Sequence, residues 1–307
     1  MTRATVALLA LATFSGKSVT GQVATAPAPA ALREALLNRD RATSEAVRRD
    51  GLARGLASAF DSAALLLLEG APLVAERAGA IRLLEQRAEL AALRVQWLPL
   101  AVLVSLDGTL GVTYGMTTIA DAPASDTTRL RFGKYISVWR RRDGAWYLAA
   151  HLQTGLLPRD APVTGAAPSS APATAQLTIG PGARFAAADR AFARMAVDSG
   201  APPAFAAFAA PTAVTFAATG DLLIGPGAIR ARMTENHAHT SWSWAPLFAG
   251  SSANGELGYT VGEATIANTE GEPWTFFGKY LTVWRRMADG SVRFVVDGGN
   301  ARPPTSH

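Results

Sequence analysis

A chain of 307 residues, 49% of them hydrophobic, is long enough to bury two ordinary cores. Its net charge is +5, but acids and bases are interspersed, and the basic clusters Arg48-Arg49 and Arg140-Arg141-Arg142 are too short for a nucleic-acid-binding stripe. No apolar run approaches bilayer-spanning length, and the absence of cysteine excludes disulfides, thiolate metal sites and cysteine nucleophiles.

Residues 1–26 have the pattern of an export signal. Arg3 precedes a short apolar core from Ala4 to Phe14, and small residues offer cleavage after Gly21, Ala24 or Ala26. A secreted or periplasmic protein is expected; an alanine-rich frayed terminus is the plain alternative. A first domain is expected over 27–156. Within it, Leu32 to Arg49 and Leu52 to Phe60 favour helix, Ala64 to Leu68 a buried strand, and Gly79 to Arg94 an amphipathic helix. Strands follow at Trp97 to Leu106, Leu110 to Ala120, Phe132 to Arg141 and Ala145 to Leu152, the last pair joined by the hairpin signal Asp143-Gly144. Residues 157–182 are dominated by Pro, Ala, Ser, Thr and Gly and read as a linker.

Residues 183–303 then repeat the first domain, and 304–307 form a tail. Asp40-Arg41-Ala42 returns as Asp189-Arg190-Ala191, and Gly79-Ala80-Ile81-Arg82 as Gly227-Ala228-Ile229-Arg230. Trp97-Leu98-Pro99-Leu100 returns as Trp244-Ala245-Pro246-Leu247. The strand Phe132-Gly133-Lys134-Tyr135 to Arg141 returns as Phe277-Gly278-Lys279-Tyr280 to Arg286, followed by Asp289-Gly290 and a strand from Ser291 to Asp297. Chance does not produce so ordered a series, so a duplicated domain is expected. The second copy adds a hairpin around Thr219-Gly220-Asp221.

This order, with the closing Tyr-x-x-Val-Trp-Arg-Arg and Asp-Gly strand pair, resembles the nuclear-transport-factor-2-like superfamily, which includes ketosteroid isomerase and the SnoaL-like cyclases. Trp244-x-Pro246, Gly255 to Gly262 and Gly278 to Arg286 resemble most the subgroup called domain of unknown function 4440. The resemblance implies an α+β fold: two tandem cone-shaped domains, each a curved antiparallel sheet wrapped around about three helices. It also implies a mostly apolar pocket in each cone and an intramolecular pseudo-dimer of the two repeats.

The isomerase base falls, by ungapped matching, at Leu68 and Ala217, neither of which can take a proton, and Glu69 is one residue out of phase. The helix that supplies the isomerase tyrosine has none in either copy. Candidate acid–base groups are Asp189, His237, Glu263 and Asp297. Asp189, like Asp40, reads more simply as an N-terminal helix carboxylate. Glu235, His237 and His239 would share a strand face and could ligate zinc, but the first copy lacks the cluster and no metal site is assigned. Trp242, Trp244, Tyr259, Glu263, Lys279 and Tyr280 are candidate ligand contacts: aromatics around one carboxylate, with a lysine to attract an acidic ligand. A core with a polar rim, and lysine stems that cover apolar surface, are the structural alternatives. There is no phosphate loop, dinucleotide fingerprint or other cofactor motif. Two functions stay open. One is binding of a small, largely apolar molecule by the second domain; the other is isomerase, dehydratase or cyclase chemistry there.

Overall fold

The computed structural model describes residues 29–91, 93–121, 130–156, 182–216 and 221–304. The expected export signal, the linker apart from Gly182, Ala217 and the turn at Thr219-Gly220 lie outside the described residues.

Helix α1 (Pro29–Asp50) buries Leu32, Leu36, Asp40, Thr43, Ser44 and Val47, the stripe that a period of 3.6 places on one face. Gly51, at φ 84°, turns the chain into α2 (Leu52–Ala57). That helix stops short of Phe60, which is buried and opens strand β1 (Phe60–Leu68). After β2 (Val74–Ala75), the helix expected over Gly79 to Arg94 is broken. Helix α3 (Arg77–Gln86) ends where Arg87 leaves helical geometry, and α4 (Ala88–Ala91) is a single turn. Leu93, Val95 and Trp97 then alternate inward, so β3 (Leu93–Val104) starts earlier than composition suggested. Strands β4 (Leu110–Asp121), β5 (Arg131–Arg142) and β6 (Ala145–Gln153) complete the meander.

The second half runs α5 (Ala183–Ser199), α6 (Ala201–Phe208), β7 (Ala209–Phe216), β8 (Leu222–Ile224) and α7 (Gly225–His237). Strands β9 (Thr240–Ser251), β10 (Leu257–Asn268), β11 (Thr275–Arg286) and β12 (Val292–Ala301) follow. The two sheets have matching orders, β2-β1-β6-β5-β4-β3 and β8-β7-β12-β11-β10-β9. Each is mixed rather than purely antiparallel, because β1 runs parallel to β6 and β7 parallel to β12. Each meander carries a bulge at its Trp-x-Pro proline, opposite Gly115 or Gly262, which suits a residue with no N–H to give the ladder. A Cβ on either glycine would lie 2.1 Å from a carbonyl oxygen of the neighbouring strand, so only glycine fits there.

The two Asp-Gly hairpins differ. Asp143 and Gly144 both take positive φ, whereas at the second turn only Gly290 does and a three-residue loop closes from Met287 to Ser291. Strand β12 also runs four residues past the expected end at Asp297.

Each sheet packs its inner face on its own helices. The outer faces meet: Val112, Ile136 and Val138 join Val261, Leu281 and Val283 in one buried apolar cluster. Polar bonds pin this contact. Asn300 Nδ2 donates to the carbonyls of Leu67 and Gln153, both at 2.8 Å, and the Gly70 N–H donates to Ala301 O at 2.9 Å. Among the described residues, no helix is long and apolar enough to cross a membrane.

Candidate functional site

At the centre of the second cone stands Asp189, fully buried on α5. Trp244 Nε1 donates to its Oδ1 at 2.7 Å and the Tyr280 hydroxyl to its Oδ2 at 2.9 Å. Trp284 Nε1 donates to Thr260 Oγ1 at 2.8 Å beside them. The first cone repeats the frame: Trp97 and Tyr135 donate to Asp40 at 3.2 and 2.7 Å, and Trp139 to Thr113 at 2.9 Å. Neither aspartate is a helix-end carboxylate. Asp189 lies past the first turn and Asp40 mid-helix, and both face inward. Burial raises Asp40 to about 6 and raises Asp189 as well; the hydroxyl and indole donors oppose the shift.

The cones differ on their last strand. In the first, His151 lies opposite Ser137, and Gln153 opposite Tyr135. Ser137 Oγ is 2.9 Å from His151 Nδ1, and His151 Nε2 is 3.2 Å from Gln153 Oε1; all three side chains are fully buried. Burial lowers His151 to about 4, so it is neutral at pH 7. In the second cone the same register positions hold Asp297, opposite Thr282, and Gly299, opposite Tyr280. An imidazole and an amide have become a small acid and nothing. The freed space belongs to a cavity of about 1210 Å³ lined by Phe192, Phe205, Trp242, Trp244, Ile266 and Met233, with Tyr280, Thr282 and Asp297 at its polar end. Thr282 Oγ1 donates to Asp297 Oδ1 at 2.5 Å. Burial, helped by the nearby Asp189 charge, pushes Asp297 up to about 7.

Of the sequence-derived candidates, the cavity gathers Trp242, Trp244, Tyr280, His237, Asp297 and Lys279. Tyr259 and Glu263 stand on the opposite face. Ala264 and Ile266 pair with Trp244 and Trp242, whereas Glu263 pairs with Ala245 and Lys279 and so points outward. The expected aromatic ring around Glu263 is therefore not formed, and its carboxylate lies 3.2 Å from Arg302 instead. Lys279 is no free cation at a mouth: it is buried, with Nζ donating to Leu68 O at 2.7 Å and Ala301 O at 2.8 Å. Burial lowers its pKa well below the usual lysine range. Leu68 is itself core.

The Glu235, His237 and His239 set is dispersed because helix α7 continues through His237. His237 sits edge-on to Trp242 at 5.1 Å, while His239 is exposed and 3.1 Å from Glu270. Among the described residues, no group of three or more His, Asp or Glu converges as a metal site. Sequence reasoning missed Thr282, Gly299 and the phenylalanines Phe192 and Phe205. A position-by-position comparison of the copies, Gln153 against Gly299, carried the signal for the glycine.

No protein family and no curated protein matches the sequence. Among solved structures, similarity is found to a ketosteroid isomerase-like protein from Erwinia carotovora atroseptica, at 14% identity and TM-score 0.36 over 41% of this chain and all of that one. An NTF2-like protein of unknown function from Pseudomonas putida is similar at 14% identity and TM-score 0.34 over 41% of this chain and 87% of that one. An NTF2-like protein with a cystatin-like fold from Novosphingobium aromaticivorans is similar at 15% identity and TM-score 0.33, over 39% and 80%. Values this low carry no statement about chemistry.

Proposed function

We propose that this is an exported protein built from two copies of a SnoaL-like domain of the 4440 subgroup, and that its second copy binds a small, largely apolar molecule. One observation carries the reading. The Asp-Tyr-Trp frame is kept in both cones, but the residues that plug the first, His151 and Gln153, are Asp297 and Gly299 in the second. Losing that much side-chain volume from a core costs stability unless something else fills the space. The apolar lining with a few convergent polar groups is the usual make-up of a small-molecule pocket. Duplication is supported by the paired motifs and the shared strand order, and export by Arg3 and the apolar stretch behind it.

A second reading has its own support. Asp297 lines the cavity with a pKa near 7, as a proton-transfer group working at neutral pH requires. A group of that kind at the end of an apolar cavity suits isomerase, dehydratase or cyclase chemistry.

Binding is tested with phenylnaphthylamine, a neutral apolar fluorophore, and by native mass spectrometry of the purified chain. Saturable fluorescence enhancement is expected, and Ala264→Trp, which fills the cavity beside Trp244, should abolish it while the melting curve stays cooperative. Absence of binding by the unaltered protein, or equal binding by the filled variant, refutes the pocket. Cell fractionation tests export; an intact N-terminus on a cytoplasmic protein refutes it.

A further inference from the structure

Resting on the reading that the second cone is a binding site, we propose that its ligand is an amphipathic acid, whose anionic group is held by Lys134 of the first half. The cavity does not end at the second cone. Past Asp297, Gly298 and Gly299 leave β12 bare, as strand glycines do where something approaches the backbone closely. The space continues to a wall built from the first half, including Phe132, Lys134 and Thr154. Phe132 and Lys134 are alternate residues of β5, in phase with Ile136 and Val138 on the face turned to the second sheet. Lys134 Nζ lies 5.6 Å from the Phe216 ring centroid at the end of β7, so the ammonium borders the apolar interior of the other half.

Basic side chains outnumber acidic ones in the cavity lining. Among the described residues, the lining has four basic side chains, Arg131, Lys134, Arg232 and Lys279, against two acids, Glu69 and Asp297. Several are committed: Lys279 to two carbonyls, Arg232 to Glu235 at 3.6 Å, Glu69 to the Gly155 N–H at 2.7 Å. Asp297 is only partly ionised near pH 7. Lys134 interacts with Asp221, but burial outweighs that acid and lowers its pKa to about 8. A carboxylate placed beside such a half-buried ammonium gains more than it would in water, because the surroundings are less polarisable. The first half, its own cone plugged, thereby contributes part of the wall of this cavity.

The test titrates the full chain with anilinonaphthalene sulfonate and with phenylnaphthylamine, which have the same rings but only one an anionic group. The sulfonate is expected to bind about tenfold more tightly, a difference of about 1.4 kcal/mol. Lys134→Met should erase that advantage, the sulfonate losing more affinity than the neutral probe, and Lys134→Arg should restore it. Decanoate should displace the sulfonate and decanol should not. Equal binding of the two probes, or an equal loss of both in Lys134→Met, overturns the acid proposal and leaves the apolar pocket standing. Binding of neither probe overturns both.

Discussion

Replacing Asp297 by Asn tests whether its surroundings at the polar end of the second cavity hold its proton. Asp297 is held by Thr282 at 2.5 Å, and an Asn at the same place keeps an oxygen for that hydroxyl while losing the charge. Burial raises the acid from 3.8 to about 7, about 3 pH units, which corresponds to about 4 kcal/mol. The sign follows from proton linkage. The native state holds this proton more tightly than the unfolded chain, so the stabilisation is complete below pH 4 and is lost as pH rises through 7. Asp297→Asn should therefore match the parent protein at pH 4 and exceed it in stability by up to about 4 kcal/mol at pH 8. Urea unfolding at pH 4, 6 and 8, read by far-UV circular dichroism, measures the difference. Adding Asp189→Asn should shrink it, since the Asp189 charge contributes to the shift. A stability difference that is the same at pH 4 and pH 8 would refute the claim that the fold raises the proton affinity of Asp297.

The other perturbations have equally definite outcomes. Lys279→Met removes a buried amine whose two carbonyl partners also accept the N–H groups of Ala71 and Gly70, so they stay bonded. Because the native pKa is depressed, stability of the parent should rise with pH toward the unfolded value near 10, by at most about 1.4 kcal/mol per pH unit, and the variant should lack that slope in matched denaturation curves. Gly299→Gln restores the plug of the first cone. Its Cβ would meet Lys279 O at 3.0 Å, tight enough to cost about 1–3 kcal/mol, and probe affinity should fall at least about tenfold in fluorescence titrations. Tyr280→Phe and Tyr135→Phe each take one donor from a buried aspartate, so thermal and chemical unfolding should show similar losses of about 1.5–3 kcal/mol for both.

Local pattern determined much of this protein. Alternation placed β4, β5 and the hairpins, the Asp-Gly pairs marked two turns, and the paired motifs anticipated two sheets of one strand order. The frame around Asp40 and Asp189 was legible in part, because Trp97 with Tyr135 and Trp244 with Tyr280 recur in the same order, 38 and 36 residues apart. Its closure on the aspartates was not, since a helix residue meets a strand residue only when the whole sheet curls over it. Tertiary structure alone decided which strand face is inside. A bulge at Pro246 and the pairing of Ala264 with Trp244 send Glu263 outward, and a register one residue away would have sent it in. It also decided that Lys134 of one half stands at the cavity of the other. Strand identity follows from the polarity of neighbours along the chain, whereas an empty volume is bounded by residues far apart in it and arises only once two sheets have packed.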